Sequence, residues 1–231
     1  MSKYLLRLYY MIPPEAFQEI QAELERRSLQ TNKYRDRAGE GKSQAFGLVN
    51  RRCLPVDYSR QCWLRPKLYF HLLEFANKYV DIPWTSITVN QNYRSLPHRD
   101  KGNLGESFLV AFGSYSGGDL RIHEGDLSGC HSIWCTPIKA DFSKILHSVE
   151  PFVGMRYSLV FYTLKPTKMP SEPIPKADVV LEDGKYWFRR GGKIITAKTG
   201  LDHPLRGRKK EEKKESMTEL PSEEGFLVTF E

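Results

Sequence analysis

The sequence predicts a mainly β domain of the α+β kind, a sandwich or barrel with two helices ahead of its strands. Three observations lead there. From residue 83 onward the apolar pattern changes from a helical period to a period of two. Six short runs of that kind (84–92, 107–113, 119–124, 132–138, 145–151 and 155–164) are separated by turn signals such as NLG, YSGG, EGDLSG and FVG. Many short strands at near-even spacing are what a sheet folded over or closed on itself requires. The chain has 231 residues, 40% hydrophobic and 12% aromatic, which suits one domain with a real core and modest appendages rather than a disordered chain.

Taken in order, residues 3–12 alternate weakly and read as a first strand. Residues 13–27 follow as an amphipathic helix, with proline at the start and Phe17, Ile20 and Leu24 on one face. The polar, basic stretch 28–60 reads as a long loop with one short strand at most, and loops of that length tend to carry function. Residues 65–80 form a second helix with Leu68, Leu72, Phe75, Ala76 and Tyr79 on its apolar side. His71 lies within that run and reads as a packed core histidine. These helices would cover the outer face of the strands.

After residue 164 the composition shifts. Residues 165–175 form a proline-rich linker, and 178–198 read as a three-stranded meander with turns at Asp183-Gly184 and Gly191-Gly192. A mixed charge run at 206–215 reads as solvated, its RGRKK able to serve as a nuclear address or a phosphate contact, and 225–231 could add an edge strand. The organisation is therefore a domain over 1–164, with an N-terminal part (1–82) and a strand core (83–164), followed by linker, meander and tail over 165–231.

Composition limits the functional classes. No stretch reaches the roughly 20 apolar residues of a membrane span, and the N-terminal segment lacks a small-residue cleavage site. Cys53, Cys62, Cys130 and Cys135 form no CxxC pair, so free thiols in a reducing, intracellular compartment, nuclear or cytoplasmic, are expected. The formal charge of +7 and pI near 9.1 suit a polyanionic partner such as nucleic acid. Lys42, Arg51, Arg65 and Lys67, with Lys33, Arg35 and Arg37 before them, are interleaved with Phe46, Tyr58 and Trp63. That pattern fits a strand-gripping surface or, equally, a soluble surface over core aromatics.

The chemistry concentrates in 97–103 and 147–163. His98 and Asp100 are two apart, so on an extended chain they point to the same side. His147 follows in a later strand, and two imidazoles with one carboxylate on one side of a metal form the facial triad of non-haem Fe(II) oxygenases. His123 and His131 are rival ligands, but neither has an aspartate at that offset. The CHSIWC segment (130–135) is a weak zinc candidate against ordinary burial. Beyond His147, alternation puts Arg156, Ser158, Val160 and Tyr162 on one strand face and Tyr157, Leu159, Phe161 and Thr163 on the other. The first face would look into a ligand-filled lumen. An inward guanidinium needs an anion, and a carboxylate held bidentately with help from Ser158 fits. A dicarboxylate whose other end chelates iron fits both features.

The combination of HRDKGN (98–103), ESFLVAFGSYSGGDL (106–120) and RYSLVFYT (156–163) resembles the Fe(II)/2-oxoglutarate dioxygenases, most of all the TET/JBP branch that oxidises methyl groups of DNA bases. The resemblance covers roughly residues 84–164 and implies a double-stranded β-helix (jelly-roll, cupin-like) core. It implies His98, Asp100 and His147 as Fe(II) ligands, and Arg156 with Ser158 on the distal carboxylate of 2-oxoglutarate. It implies Asn103 and Tyr162 as contacts to a flipped or single-stranded base. O2 would be the oxidant, and nucleic acid, DNA foremost, the partner. The chain departs from the branch at Leu164, where a cytosine-contacting histidine would stand. The activity this implies is hydroxylation of a base methyl group of the 5-methylcytosine or thymine type. Fold and iron site do not fix a substrate, so a protein or small-molecule hydroxylase is the alternative. A non-catalytic nucleic-acid-binding module is a second, disfavoured by the intact ligand set.

Overall fold

Phe17, Ile20 and Leu24 fall on one side of a helical turn, and that spacing seats the first helix on the rest of the chain. The computed structural model describes residues 10–30 and 39–196. A 3-10 turn (Pro14–Phe17) leads into α1 (Gln18–Arg26), and α3 (Pro66–Tyr79) crosses it with Leu68, Leu72 and Phe75 buried. The expected first strand lies mostly outside the described residues. At its described end Ile12 donates a hydrogen bond to the Cys135 carbonyl without forming a strand.

The stretch 28–60 corrects the sequence reading. From residue 39 it forms β1 (Gly39–Arg51) and β2 (Leu54–Tyr58) and ends on Arg60, the N-cap of a short helix, α2 (Gln61–Leu64). Its polar character misleads because β1 is held by backbone pairing to β3 (Ser86–Ser95) across eight partner positions, while only Ser43, Phe46 and two glycines of it are buried. Gly41 permits the close approach: a Cβ there would lie 2.2 Å from the Asn92 carbonyl oxygen.

The remaining strands are β4 (Asn103–Gly117), β5 (Leu120–Ile122), β6 (Gly129–His131), β7 (Ile138–Ala140), β8 (His147–Val149) and β9 (Phe152–Leu164). The expected strand 132–138 is replaced by irregular chain between β6 and β7. Cys135 there takes φ +50°, which breaks an extended run, and Trp134 makes only an isolated bridge to Ala111. The major sheet has the order β2-β1-β3-β9-β4-β7 and the minor sheet β6-β5-β8, with all named pairings antiparallel. This is a double-stranded β-helix flanked by N-terminal helices.

Period-two alternation gives the major sheet two apolar faces. On β4, Phe108, Val110 and Phe112 join Tyr157, Leu159 and Phe161 of β9 under the helices. Leu109 and Ala111 point the other way and cluster with Leu120, Ile122, Ile138 and Phe142 between the sheets. Each fully buried large apolar side chain contributes roughly 1.5–3 kcal/mol, so both faces are strongly specified.

The meander forms as β10 (Ala177–Glu182), β11 (Lys185–Arg190) and β12 (Lys193–Ile195), turning at Asp183-Gly184 and Gly191-Gly192. Phe188 carries it into the helix-side core, where it meets Tyr58, Trp63 and Tyr69. The charge run 206–215 and the segment 225–231 lie outside the described residues. No described helix is long and apolar enough to cross a membrane.

Candidate metal centre and adjoining cavity

Backbone pairing brings the histidines together. His98 and His147 form an antiparallel bridge, each amide donating to the other's carbonyl at 2.9 and 3.0 Å. Asp100 is fixed next, its amide donating to the Phe142 carbonyl at 2.9 Å. The ligand atoms offered by His98, Asp100 and His147 all lie within 4.8 Å of one another, the one such cluster of three among the described residues.

The outer hydrogen bonds fix which nitrogen each ring presents. His98 Nδ1 is 2.7 Å from the Leu96 carbonyl oxygen, and His147 Nδ1 is 3.0 Å from that of Ile145. A carbonyl only accepts, so both Nδ1 atoms carry the proton and each ring presents Nε2 as the ligand atom. Those Nε2 atoms sit 3.4 and 4.0 Å from the two oxygens of Asp100. Burial, reinforced by the neighbouring His98, lowers the pKa of His147 and keeps it neutral, the form that binds metal. The donor set of two imidazoles and a carboxylate suits Fe(II).

Arg99, between the first two ligands, ties the loops. Its guanidinium meets both oxygens of Glu124 at 2.6 and 2.7 Å and the Lys144 carbonyl at 2.8 Å, while Glu124 accepts from the Leu146 amide at 2.7 Å. The ligand-bearing segments are thereby stapled on both sides of the site.

One cavity between the sheets is lined by all three ligands and by Asn90, Asn103, Arg156, Ser158, Val160 and Tyr162, together with Leu120 and Val149 of the minor sheet. The alternation of β9 places its guanidinium, hydroxyl and phenol here. Arg156 is 2% exposed, and its Nε and Nη2 have no hydrogen-bond partner. Among the described residues no carboxylate pairs with it. Its guanidinium lies over the rings of Tyr115 and Phe152 at 5.4 and 5.6 Å, and burial lowers its pKa. A buried cation with orphaned donors is costly unless an anion arrives. Ser158 stands two residues on, its hydroxyl accepting from Asn90 Nδ2 at 3.1 Å.

Asn103 lines the same cavity. Its amide nitrogen reaches Ser107 Oγ at 3.1 Å and Asp100 Oδ2 at 3.4 Å, so it also braces the carboxylate ligand. Leu164 shares the strand face of Tyr162 but lies beyond the lining, opposite Asn103 across the β4–β9 pair. His123 and His131 are engaged elsewhere, with Ser148 Oγ at 2.9 Å and the Leu127 carbonyl at 2.6 Å. Cys130 is exposed while Cys135 is buried, its thiol pushed up to about 11 by burial, so the CHSIWC thiols do not share one environment.

Sequence reasoning missed the supports. Asn92 accepts the Arg156 amide on Oδ1 at 2.8 Å, Tyr115 and Phe152 cover the guanidinium, and Gly118 leaves room for it. A Cβ on Gly118, at φ +73°, would lie 2.9 Å from Arg156 Nε. Strand parity does not mark Asn92 or Gly118: Asn92 is an exposed residue at φ +49°, where β3 shifts its lumen face from Asn90 to Tyr93, and Gly118 lies just past the end of β4.

The interleaved aromatics of the basic region turn inward. Phe46 is in the core, and Tyr58 and Trp63 pack on Phe188. Arg51 pairs with Asp57 and Lys67 with Glu23. Lys33, Arg35 and Arg37 lie outside the described residues.

No family model matches the sequence, and no curated protein does. Among solved structures the chain is similar to NgTET1 in complex with 5mC DNA, at a TM-score of 0.51 and 17% identity over 70% of this chain and 73% of that one. Looser likenesses are to a 2OG-Fe(II) oxygenase family oxidoreductase from Burkholderia pseudomallei (TM-score 0.42, 13% identity, 63% and 76% covered) and a Pseudomonas putida prolyl-4-hydroxylase (0.43, 15%, 68% and 90%). Two facing antiparallel sheets, the strand order and the likeness to NgTET1 together give this chain a double-stranded β-helix fold.

Proposed function

We propose that the chain is an Fe(II)- and 2-oxoglutarate-dependent dioxygenase that hydroxylates a methyl group on a nucleic-acid base of the 5-methylcytosine or thymine type. The observation that carries the cofactor reading is Arg156: a buried guanidinium with two orphaned nitrogens, in the cavity that His98, Asp100 and His147 also line. A dicarboxylate bound to a metal at one end and to the guanidinium at the other answers both needs. Support for the base as substrate comes from the likeness to NgTET1, whose structure contains 5mC DNA, and from the positive charge of the chain.

Iron, 2-oxoglutarate and O2 together would supply oxidation of a C–H bond, with succinate and CO2 as co-products. The residues hold and orient. His98 and His147 present Nε2 with Nδ1 anchored, Asp100 completes the face, and Arg156 with Ser158 grips the distal carboxylate. Tyr162 offers a ring for stacking on a flipped base, and the amide oxygen of Asn103 is left to accept from the base edge. In this reading residues 1–164 are the catalytic unit, with the linker, meander and tail appended. The compartment it implies is intracellular.

A second reading, hydroxylation of a protein or small molecule, is favoured by one observation: Phe46, Tyr58 and Trp63 pack inward and Arg51 and Lys67 are internally paired, which removes much of the expected strand-gripping surface. The test is anaerobic addition of Fe(II) and 2-oxoglutarate, reading the weak visible absorption of the chelate, then succinate release with methylated DNA, methylated RNA and unmodified controls. Chelate absorption with release stimulated by a methylated nucleic acid is expected. A chelate without such stimulation selects the second reading, and absence of both signals overturns the enzyme.

A further inference from the structure

A second concave site lies away from the cavity, between the end of α1, the start of α3 and β11. Arg26, Arg27, Arg65, Lys67 and Lys185 line it against one lining carboxylate, Glu23. Glu23 is already engaged, by Arg26 at 2.6 Å and Lys67 at 3.1 Å. Among the described residues no carboxylate pairs with Arg27, Arg65 or Lys185.

Arg65 is the unusual member. It is 6% exposed, and its Nη2 donates to the carbonyls of Glu23 and Arg27 at 2.9 and 2.5 Å, closing the last turn of α1. Its Nη1 is buried and has no hydrogen-bond partner. Burial and then the adjacent Arg27 bring its pKa down to about 10, against the opposing pull of Glu23. Arg65 also stands at the N-cap of α3, a helix of 14 residues that begins with Pro66, has no side-chain cap and has no acidic residue in its first turn. Helix N-termini favour negative charge, and this one is met by cations alone on its own chain segment.

We propose that this groove is a phosphate-binding site, with Arg65, Arg27 and Lys185 as its ligands together with the free amides at the start of α3. A phosphate anion would satisfy Arg65 Nη1, offset the clustered charge and occupy the positive end of the helix in one step. The phosphate could belong to a nucleic-acid backbone or to a free phosphate compound. The site is independent of the chemistry in the cavity, since nothing in it needs iron or 2-oxoglutarate.

The experiment uses the full chain without added iron. In one arm a fluorescein-labelled, unmethylated single-stranded oligonucleotide is titrated by anisotropy from about 50 to 200 mM salt. In the other, inorganic phosphate is added at constant ionic strength and the melting temperature is followed. Lys185→Glu and Arg27→Glu change surface side chains, and Arg65→Met, checked for folding by its melt, removes the buried guanidinium. If a strand supplies the phosphate, each variant binds the oligonucleotide several-fold more weakly, and the slope of log K against log salt falls by about 0.7 per lost contact. If a free compound supplies it, inorganic phosphate raises the melting temperature of the native chain but not of the variants. No response of the native chain in either arm, or responses unchanged in all three variants, would overturn the proposal.

Discussion

His98 and His147 hold each other by the backbone: each amide donates to the other's carbonyl, while each ring is anchored through Nδ1 to a carbonyl two residues earlier. The metal-binding geometry is therefore built by the β3–β4 connection bridging to β8, before any side chain reaches a metal. Substituting either ring should remove a ligand without moving the strands.

His98→Ala and Asp100→Ala are expected to fold with melting temperatures near that of the metal-free native chain. Fe(II) binding should weaken about 100-fold or more, and turnover should vanish. Calorimetric titration of Fe(II) under anaerobic conditions, beside a thermal melt, checks both halves. Retained affinity would mean that the three groups do not act as a metal face.

Arg156→Met should separate binding from stability. The native guanidinium is buried without its anion, so an apolar replacement of similar length is expected to leave the free protein as stable or more stable, by up to about 1–4 kcal/mol. The same change should cost about 2–5 kcal/mol in 2-oxoglutarate affinity. Melts with and without 2-oxoglutarate read both effects. Arg156→Lys should not restore affinity, because an ammonium lacks the planar fork.

Gly118→Ala tests the packing behind that arginine. At φ +73° a methyl would meet Arg156 Nε and Cδ and Phe152 Cβ at 2.9–3.0 Å. The expected result is a loss of about 1–3 kcal/mol in stability with weaker 2-oxoglutarate binding. Denaturant midpoints and a cosubstrate titration measure it.

Leu164 lies opposite Asn103 on the paired strand, beyond the cavity lining. Leu164→His is expected to shift preference among methylated bases toward 5-methylcytosine, read as the ratio of succinate release on 5-methylcytosine and thymine substrates. An unchanged ratio would place Leu164 outside substrate contact.

Burial lowers the pKa of His71, in the helix layer, below its ordinary 6.5. The unfolded chain then binds the proton more readily than the folded one. This contribution to stability is complete above pH 6.5 and is lost as the pH falls through the window below it. His71→Leu should flatten that part of the pH–stability profile, checked by denaturant melts of the metal-free protein across the window.

The sequence determined what depends on neighbours along the chain. Phe17, Ile20 and Leu24 marked α1, Leu68, Leu72 and Phe75 marked α3, and the Asp183-Gly184 and Gly191-Gly192 turns marked the meander. The two-residue offset of His98 and Asp100 and the alternation from Arg156 to Tyr162 marked one side of a lumen. Tertiary structure alone decided the rest. β1 and β2 were illegible because backbone hydrogen bonds, which any side chain permits, hold β1 to β3 and β2 to β1. The irregular chain at 132–137 was equally hidden, since apolar alternation there serves packing with one isolated bridge in place of a ladder. That Nε and Nη2 of Arg156 and Nη1 of Arg65 lack a hydrogen-bond partner follows from which distant groups register brings near. Local periodicity says which way a side chain points, but only the pairing of strands and helices far apart in sequence says what it meets.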